Sequence, residues 1–452
     1  MKGNNMSENN LPIKIPKRIL GTLLNSAAAG VVPRFGLEYM AIGRHDEVSS
    51  LLSGLENVAD GMGDCRFIIG KYGSGKSFLI GLIRCNALER GFITADTDLS
   101  PERRFIGTRG QGIATYRELM KNLASKTSPD GGALPVILTK WLSTLQTEIV
   151  TKDGIPHDTP AFSAAMERKI TEITASLEGL VNGFDFASVL NTYYRAVKNA
   201  DDEKRSAALR WLRGEYSNKI EVRAALGINS LIDDSNWYDY VKLFAVFFRK
   251  IGYKGFVVFF DECVNLYKIP HKMSRENNYE KILSMFNDTL QGKAEGLGLI
   301  LGGTPQFLED ERRGLFSYDA LKSRLSGSRV VSGSFKNFMG PVIYLNRLSD
   351  DELYALIMRM LSLHKQYYSW EPVISDEEIV AFLQLCFNKM GADTMLTPRE
   401  IIRDFLGVLN IMYQNNGVTF SQVISDGKVT LKSDASSSED DDGLFDLGEI
   451  EL

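Results

Sequence analysis

The chain has 452 residues, of which 44% are hydrophobic and 24% charged, and its net charge is −5 at pH 7. This is an ordinary globular composition, long enough for two or three domains, and it excludes a disordered, fibrous or disulfide-stapled protein. No apolar run is long enough to span a bilayer, so we expect no membrane insertion.

Two features favour a cytoplasmic protein. Residues 1–10 are polar and lack the apolar stretch of a secretory signal. The cysteines, Cys65, Cys85, Cys263 and Cys386, are scattered, with no C-x-x-C pair and no histidine nearby. We therefore expect reduced cysteines that serve as small core residues.

The first motif along the chain is Gly43-Arg44, followed three residues later by Glu47. An apolar face predicts an amphipathic helix directly after it, carrying Val48, Leu51, Leu52, Leu55 and Val58. A Gly-Arg-x-x-Glu element placed ahead of a phosphate loop is similar to the adenine-contacting segment of AAA+ ATPases, which makes Arg44 a candidate nucleotide ligand. A capped surface helix would show the same pattern.

Residues 70–77 match G-x-x-x-x-G-K-[ST], the phosphate-binding loop of nucleoside triphosphatases. An apolar run fit for a strand precedes the loop, and the apolar start of a helix follows it. The glycines allow backbone N–H groups to point at phosphates, Lys76 would reach the β- and γ-phosphates, and Ser77 would ligate Mg²⁺. The pattern predicts binding of ATP with Mg²⁺ by Gly70, Tyr72, Gly73, Ser74, Gly75, Lys76, Ser77 and Phe78.

Residues 91–96 are predicted to form the second strand. From about residue 128 to residue 236 the pattern changes to one helix after another, with no strand-like alternation. This stretch is too long to be a loop. We interpret it as a helical insertion in an α/β domain.

The α/β pattern resumes at residues 255–262, where a continuous apolar strand ends in Asp261 and Glu262. Continuous hydrophobicity is typical of a strand covered by helices on both faces. At the tip of this strand Asp261 can hold Mg²⁺, and Glu262 can orient or deprotonate the attacking water. A solvated acidic cap is the alternative.

Another strand, residues 297–301, leads into Gly302-Gly303-Thr304-Pro305. We expect the end of this strand to lie between the phosphate loop and the acidic pair. Thr304 could there hydrogen-bond the γ-phosphate or the attacking water, as the sensor of AAA+ proteins does. A threonine that caps a turn before proline is the alternative.

Several arginines follow this strand: Arg312, Arg313, Arg324 and Arg329. An oligomeric ATPase needs a cation that a neighbouring subunit inserts against the γ-phosphate, because negative charge spreads over its oxygens during transfer. Arg324 has the best position for this role. A charged helix face is the alternative.

The last core strand is predicted at residues 340–345, and helical patterns continue from Asp350. One of these helices opens with Thr397 as its cap and Pro398 at its first position. Arg399, in the same turn, could point back at the nucleotide. An arginine on an ordinary helix face is the alternative.

Residues 433–452 carry eight acidic residues and no basic one, and removing those charges from the net −5 leaves +3 on the rest of the chain. The composition of residues 433–443 cannot bury enough apolar surface to fold. From Leu444 to Leu452 apolar residues alternate with acids, which suits a flexible peptide that docks in a basic, apolar groove. The mildly positive body permits nucleic-acid binding.

Together the patterns predict an α/β fold of the P-loop NTPase, AAA+-like class, with a parallel sheet, a helical insertion and a C-terminal all-α lid. The predicted divisions are an N-terminal arm (1–40), the first part of the core (41–125), the insertion (126–240), the second part of the core (241–346), the helical lid (347–430) and a disordered acidic tail (431–452).

The chain resembles the AAA+ ATP-binding proteins of bacteriophage-exclusion (BREX) and related defence islands, and most of all the small ATP-binding member of that group. The resemblance rests on the phosphate loop with its Tyr72 and on motifs at residues 30–34, 43–44, 96–103, 115–120, 211–215, 226–228, 302–305 and 397–400. It implies the fold, ATP, a defence setting, and partners such as a helicase. It does not say what ATP hydrolysis drives.

Three functions compete. The first is a homo-oligomeric ATPase that loads, remodels or moves something on DNA, which the acidic pair and Arg324 favour. The second is an ATP-gated switch for assembly or partner recruitment, with slow hydrolysis and no translocation, which the acidic tail and the lack of a DNA-reading motif favour. A phosphotransferase acting on a small molecule is disfavoured because no acceptor site is visible.

Overall fold

The structure is a computed structural model, and it describes residues 15–157, 159–327, 338–388 and 397–425. The chain divides into two compact units: Val31–Leu356, and a second unit made of Met1–Gly30 with Ile357–Leu452. The predicted tail, residues 431–452, lies outside the described residues, as does Arg329.

The helices are, in chain order, α1 Lys17–Ala28, α2 His45–Ala59, α3 Lys76–Glu89, α4 Gln111–Lys121, α5 Leu134–Thr151, α6 Pro160–Glu178, α7 Gly183–Lys198, α8 Asp202–Leu212, α9 Lys219–Leu226, α10 Trp237–Lys250, α11 Val264–Tyr267, α12 Lys272–Leu290, α13 Pro305–Glu309, α14 Asp319–Leu325, α15 Asp350–Tyr368, α16 Asp376–Asn388, α17 Pro398–Gln414 and α18 Phe420–Ser425.

A five-stranded parallel sheet organises the unit Val31–Leu356. Its strands are β1 Asp64–Ile69, β2 Ile93–Asp98, β3 Phe256–Asp261, β4 Leu297–Gly303 and β5 Val342–Tyr344. They lie in the order β2-β3-β4-β1-β5, and every pairing is parallel. The predicted α/β class is therefore confirmed, and so is the prediction that β4 lies between the strand of the phosphate loop and the strand of the acidic pair.

Helices cover both faces of this sheet, which is why β3 and β4 are apolar and buried throughout. On one face, apolar side chains of α2 and α3 pack against β3 and β4, as Leu55 and Ile83 do against Val257 and Ile300. On the other face the core continues into α10 and α12 and on into the helices between β2 and β3. The succession of helices predicted for residues 128–236 is confirmed as α5 to α9.

Helix α10 contains the apolar run from Leu243 to Phe248, and it is a core helix. Its aromatic residues Trp237, Tyr240, Phe244, Phe247 and Phe248 are fully buried. Within the described ranges, no helix is both long and apolar enough to cross a membrane. The four cysteines, all of them described, form no disulfide, and three of them are buried.

In the second unit α17 begins as the sequence predicts. Thr397 accepts a hydrogen bond from the amide of Glu400, and the Glu400 carboxylate accepts one from the amide of Thr397, with Pro398 in the first turn. The aromatic rings of Phe382, Phe405 and Phe420 join α16, α17 and α18. The predicted cap is confirmed.

A buried histidine links two helices of this unit. His364 is 1% exposed; its Nδ1 accepts a hydrogen bond from the indole N–H of Trp370 at 2.9 Å, and its Nε2 lies 3.1 Å from Oδ1 of Asn410. Because an indole nitrogen can only donate, the imidazole proton is on Nε2 and the ring is neutral. Burial lowers the pKa of His364, partly offset by the hydrogen bond to Asn410.

Candidate functional site

The phosphate loop connects the end of β1 to the start of α3. Gly73 and Gly75 have φ angles of 74° and 90°, in the left-handed region that only glycine adopts without strain. Nothing lies within 4 Å of where a side chain on Gly75 would begin, so the space above the loop is open. The first amides of α3 have no acceptor within their own helix, and they are therefore available to an anion seated in that space.

Lys76 folds back over this loop. Its ammonium donates to the carbonyl oxygens of Gly70 at 2.9 Å and Lys71 at 3.1 Å, and it lies 5.4 Å from the centre of the exposed Tyr72 ring. Burial lowers the pKa of Lys76, while the negative charges of Asp261 and Glu262 act in the opposite direction. The cation is thus held at the loop by weak acceptors that a phosphate group can replace.

Ser77 and Asp261 meet beside the loop. The Ser77 hydroxyl donates to Oδ2 of Asp261 at 2.6 Å, although the two residues are 184 positions apart in the sequence. A hydroxyl and a carboxylate are oxygen ligands of the kind that Mg²⁺ prefers, and that ion commonly takes its remaining ligands from waters and substrate phosphates. No group of three or more His, Cys, Asp or Glu side chains that could hold a metal occurs in the described ranges. The pair therefore fits Mg²⁺ that arrives together with a nucleotide.

Glu262 follows Asp261 in an unusual backbone conformation. Its φ angle is 55°, and its amide donates to Oδ1 of Asp261 at 2.8 Å. Such left-handed conformations are uncommon for residues other than glycine and occur preferentially at functional sites. Burial raises the pKa of Glu262, and the charges of Asp261 and Asp98 add to that rise.

Asp98 is a neighbour that the sequence reasoning missed. It is the last residue of β2 and pairs in register with Asp261 of β3. Burial raises its pKa, and the charge of Asp261 is the next cause. The sequence contains a signal for Asp98, because an acid at the end of a strand is also what indicates Asp261. Asp98 is missed because the second strand was predicted to end at Asp96, two residues before its observed end.

Arg44 contacts the backbone of the phosphate loop. It sits at the start of α2 with a φ angle of 62°, and its guanidinium donates to the carbonyls of Ser74, at 3.2 Å, and Asn346. It also forms an ion pair with Glu47. Arg44 therefore ties α2 to the loop and to the segment after β5, and its contact with adenine stays a prediction.

The structure also places the remaining candidates. Thr304 is buried at the end of β4 and caps α13 by accepting a hydrogen bond from the amide of Phe307, which is the geometry of the capping alternative. Arg324 is exposed on α14 and donates to Oδ1 of Asn287 and to the carbonyl of Ala320. Phe78 is half-buried in the first turn of α3, and Arg399 lies in the first turn of α17 in the second unit. The roles of these residues stay predictions.

A family model described as "BREX system ATP-binding protein BrxC/D" matches residues 15–428. No curated protein matches the chain.

Proposed function

The chain belongs to the family of BREX system ATP-binding proteins BrxC/D, and on that premise we propose that it is an AAA+ type P-loop ATPase. The family makes it an ATP-binding protein of the BREX phage-defence system. Our proposal adds hydrolysis, a homo-oligomer, and work on DNA or on DNA-bound partners such as a helicase. The resemblance to the small member, BrxD, is part of the proposal.

The observation that supports hydrolysis most is the meeting of two sequence-distant elements at one edge of the sheet. The phosphate loop with Lys76 and Ser77 follows β1, while Asp261 and Glu262 follow β3. In parallel sheets, ligands bind at the carboxyl ends of the strands. The left-handed backbone conformation of Glu262 beside Asp261 supports a catalytic role for this residue, since such conformations cluster at active sites.

In the proposed mechanism Lys76 leaves the loop carbonyls and binds the β- and γ-phosphates. Ser77 and Asp261 would hold Mg²⁺, which would neutralise charge on the phosphate oxygens. Glu262 orients the attacking water or takes its proton, and its raised pKa suits a base. Thr304 would hydrogen-bond the γ-phosphate or the water, and Arg44 and Arg399 would contact the nucleotide.

Arg324 would act on the nucleotide of a neighbouring subunit. It is exposed, and within its own chain it contacts Asn287 and Ala320 rather than the phosphate loop. An arginine supplied from outside a site can stabilise the charge that develops during phosphoryl transfer. Subunits with Arg324→Ala, mixed with Lys76→Ala subunits, should regain activity, because intact Arg324 then faces intact phosphate loops. Failure to rescue in mixtures that co-assemble would exclude Arg324.

Two variants test hydrolysis itself. Lys76→Ala should lose ATP binding because it removes the phosphate ligand, whereas Glu262→Gln should bind ATP and accumulate in the bound state. Binding of a fluorescent ATP analogue and phosphate release separate the two defects. Wild-type turnover by Glu262→Gln would refute the role of the base. If added DNA leaves the rate of ATP turnover unchanged, that result would favour the alternative, an ATP-gated switch for assembly or recruitment.

A further inference from the structure

Two connections at the carboxyl edge of the sheet carry an excess of positive charge. Residues 99–110 follow β2, and residues 263–275 follow β3. Together these two segments contain six lysines and arginines and one acid, Glu102, whose carboxylate accepts a hydrogen bond from Ser100. Two further acids border the second segment, Glu262 directly before it and Glu276 directly after it. We call Arg103, Arg109, Lys268 and Lys272 the basic rim.

The two segments are bonded to each other, so the basic rim is one surface. The side chain of Asn265 donates to the carbonyl of Leu99 at 2.8 Å. Asn278 of α12, which is fully buried, accepts from the amides of Phe105 and Ile106 at 3.0 and 3.2 Å and donates to the carbonyl of Ile106 at 3.1 Å. Neighbouring strands thus present their loops side by side.

The loop after β2 is held far more firmly than an exposed connection requires. Phe105 is fully buried, lies edge-on to the ring of Phe260 at 4.9 Å, and its carbonyl accepts from the indole N–H of Trp237 at 2.9 Å. The Thr115 hydroxyl donates to the carbonyl of Arg104 at 2.7 Å. A rigidly supported loop with exposed charge is the usual arrangement of a binding loop.

The cations of the basic rim remain available to a partner. Arg109 is exposed, and its guanidinium has no hydrogen-bond or ion-pair partner within the described ranges. The same holds for the ammonium of Lys268. Lys272 has an exposed contact of 3.7 Å with Glu276, and Arg103 donates one hydrogen bond to the carbonyl of Asp98. Exposed pairs of this kind contribute little and yield readily to a stronger anion.

We propose that the basic rim binds the phosphate backbone of DNA, which deepens the proposed function and rests on it. Cations spread over two loops fit an extended chain of negative charges better than one small anion. The base of the surface also touches the hydrolysis site, because the amide of Leu99 donates to the carbonyl of Asp261 and the charge of Lys268 lowers the pKa of Glu262. Of the basic rim, Lys268 therefore lies within electrostatic reach of Glu262.

The test uses the full-length chain and fluorescence anisotropy with a labelled DNA duplex over a range of salt concentrations. Each lost phosphate contact reduces the slope of log affinity against log salt by roughly 0.9 for duplex DNA. Arg109→Gln with Lys272→Gln should therefore flatten the slope by roughly 1.8. Lys250→Gln with Lys254→Gln removes the same charge from exposed positions at the opposite, amino edge of β3, and it should leave the slope unchanged.

Four outcomes would overturn the proposal. The first is equal slopes for the rim variant and wild type, and the second is equal losses in the rim and control variants. The third is that polyglutamate binds the wild-type protein as tightly as DNA does and that its affinity falls by as much in the rim variant. That result would indicate that the rim binds acidic peptides. Wild type that hydrolyses ATP but binds no DNA would refute the rim and leave the ATPase standing. DNA binding that depends on the rim, in a protein that does not hydrolyse ATP, would refute the ATPase activity and leave the rim standing.

Discussion

Replacing Gly302 with alanine should reduce ATP hydrolysis, because the added methyl group would displace the side chain of Asp261. A Cβ at this position of β4 would lie 2.6 Å from Oδ1 of Asp261 and 2.8 Å from Cδ1 of Ile80, whereas ordinary contacts begin at 3.4 Å. The carboxylate oxygen must therefore retreat by about 0.8 Å, and that same oxygen accepts the hydrogen bond from the Glu262 amide. Displacements near 1 Å can reduce turnover about 100-fold, and overpacking destabilises a core by about 1–3 kcal/mol.

Gly298→Ala is the matched control, because Gly298 lies on the same face of the same strand. Its Cβ would meet Val58 and Val257 at 3.4–3.5 Å, which is ordinary contact. Steady-state phosphate release should therefore fall in Gly302→Ala and stay near wild type in Gly298→Ala, while both bind a fluorescent ATP analogue through the intact loop. Equal turnover in the two variants would refute the reasoning.

Three further predictions follow from single contacts. Arg44→Ala should weaken binding of a fluorescent ATP analogue, because the guanidinium no longer holds the carbonyl of Ser74. Asn278→Ala should lower the urea-unfolding free energy by about 1–3 kcal/mol, because two backbone amides lose their buried acceptor. Stability should fall between pH 7.5 and 5.5, because burial lowers the folded-state pKa of His364 and the unfolded chain binds more protons in that range. His364→Gln should reduce this dependence, whereas His45→Gln, at an exposed position, should not.

The sequence predicted the elements whose signals are local. A phosphate loop is recognisable within eight residues, and the buried strands before it and before Asp261 are continuous apolar runs. The position of β4 between β3 and β1 was predictable, because functional polar residues at the ends of these three strands implied that the ends lie at the same edge of the sheet. The cap at Thr397 was predictable because Thr-Pro-x-Glu is a local pattern.

What the sequence could not show depends on contacts between distant segments. The hydrogen bond from Arg44 to Asn346 joins residues 302 positions apart, and Arg324 meets Asn287 on another helix. Neither contact can be predicted from the sequence, because asparagine side chains and backbone carbonyls occur throughout the chain and do not mark a particular partner. The two connections that form the basic rim are separated by the whole run from α4 to α10.

The register of the sheet explains why three carboxylates share one edge. Asp98 and Asp261 end neighbouring parallel strands at the same level, and Glu262 follows directly. Burial raises the pKa of Asp98 and of Glu262, and the negative charge of Asp261 adds to both rises. A bound divalent cation would relieve this repulsion, and Lys76 supplies part of that relief already by lowering the pKa of Glu262. The same electrostatics therefore couple nucleotide and metal binding to the state of the proposed base, because any cation delivered beside Asp261 changes how readily Glu262 holds a proton.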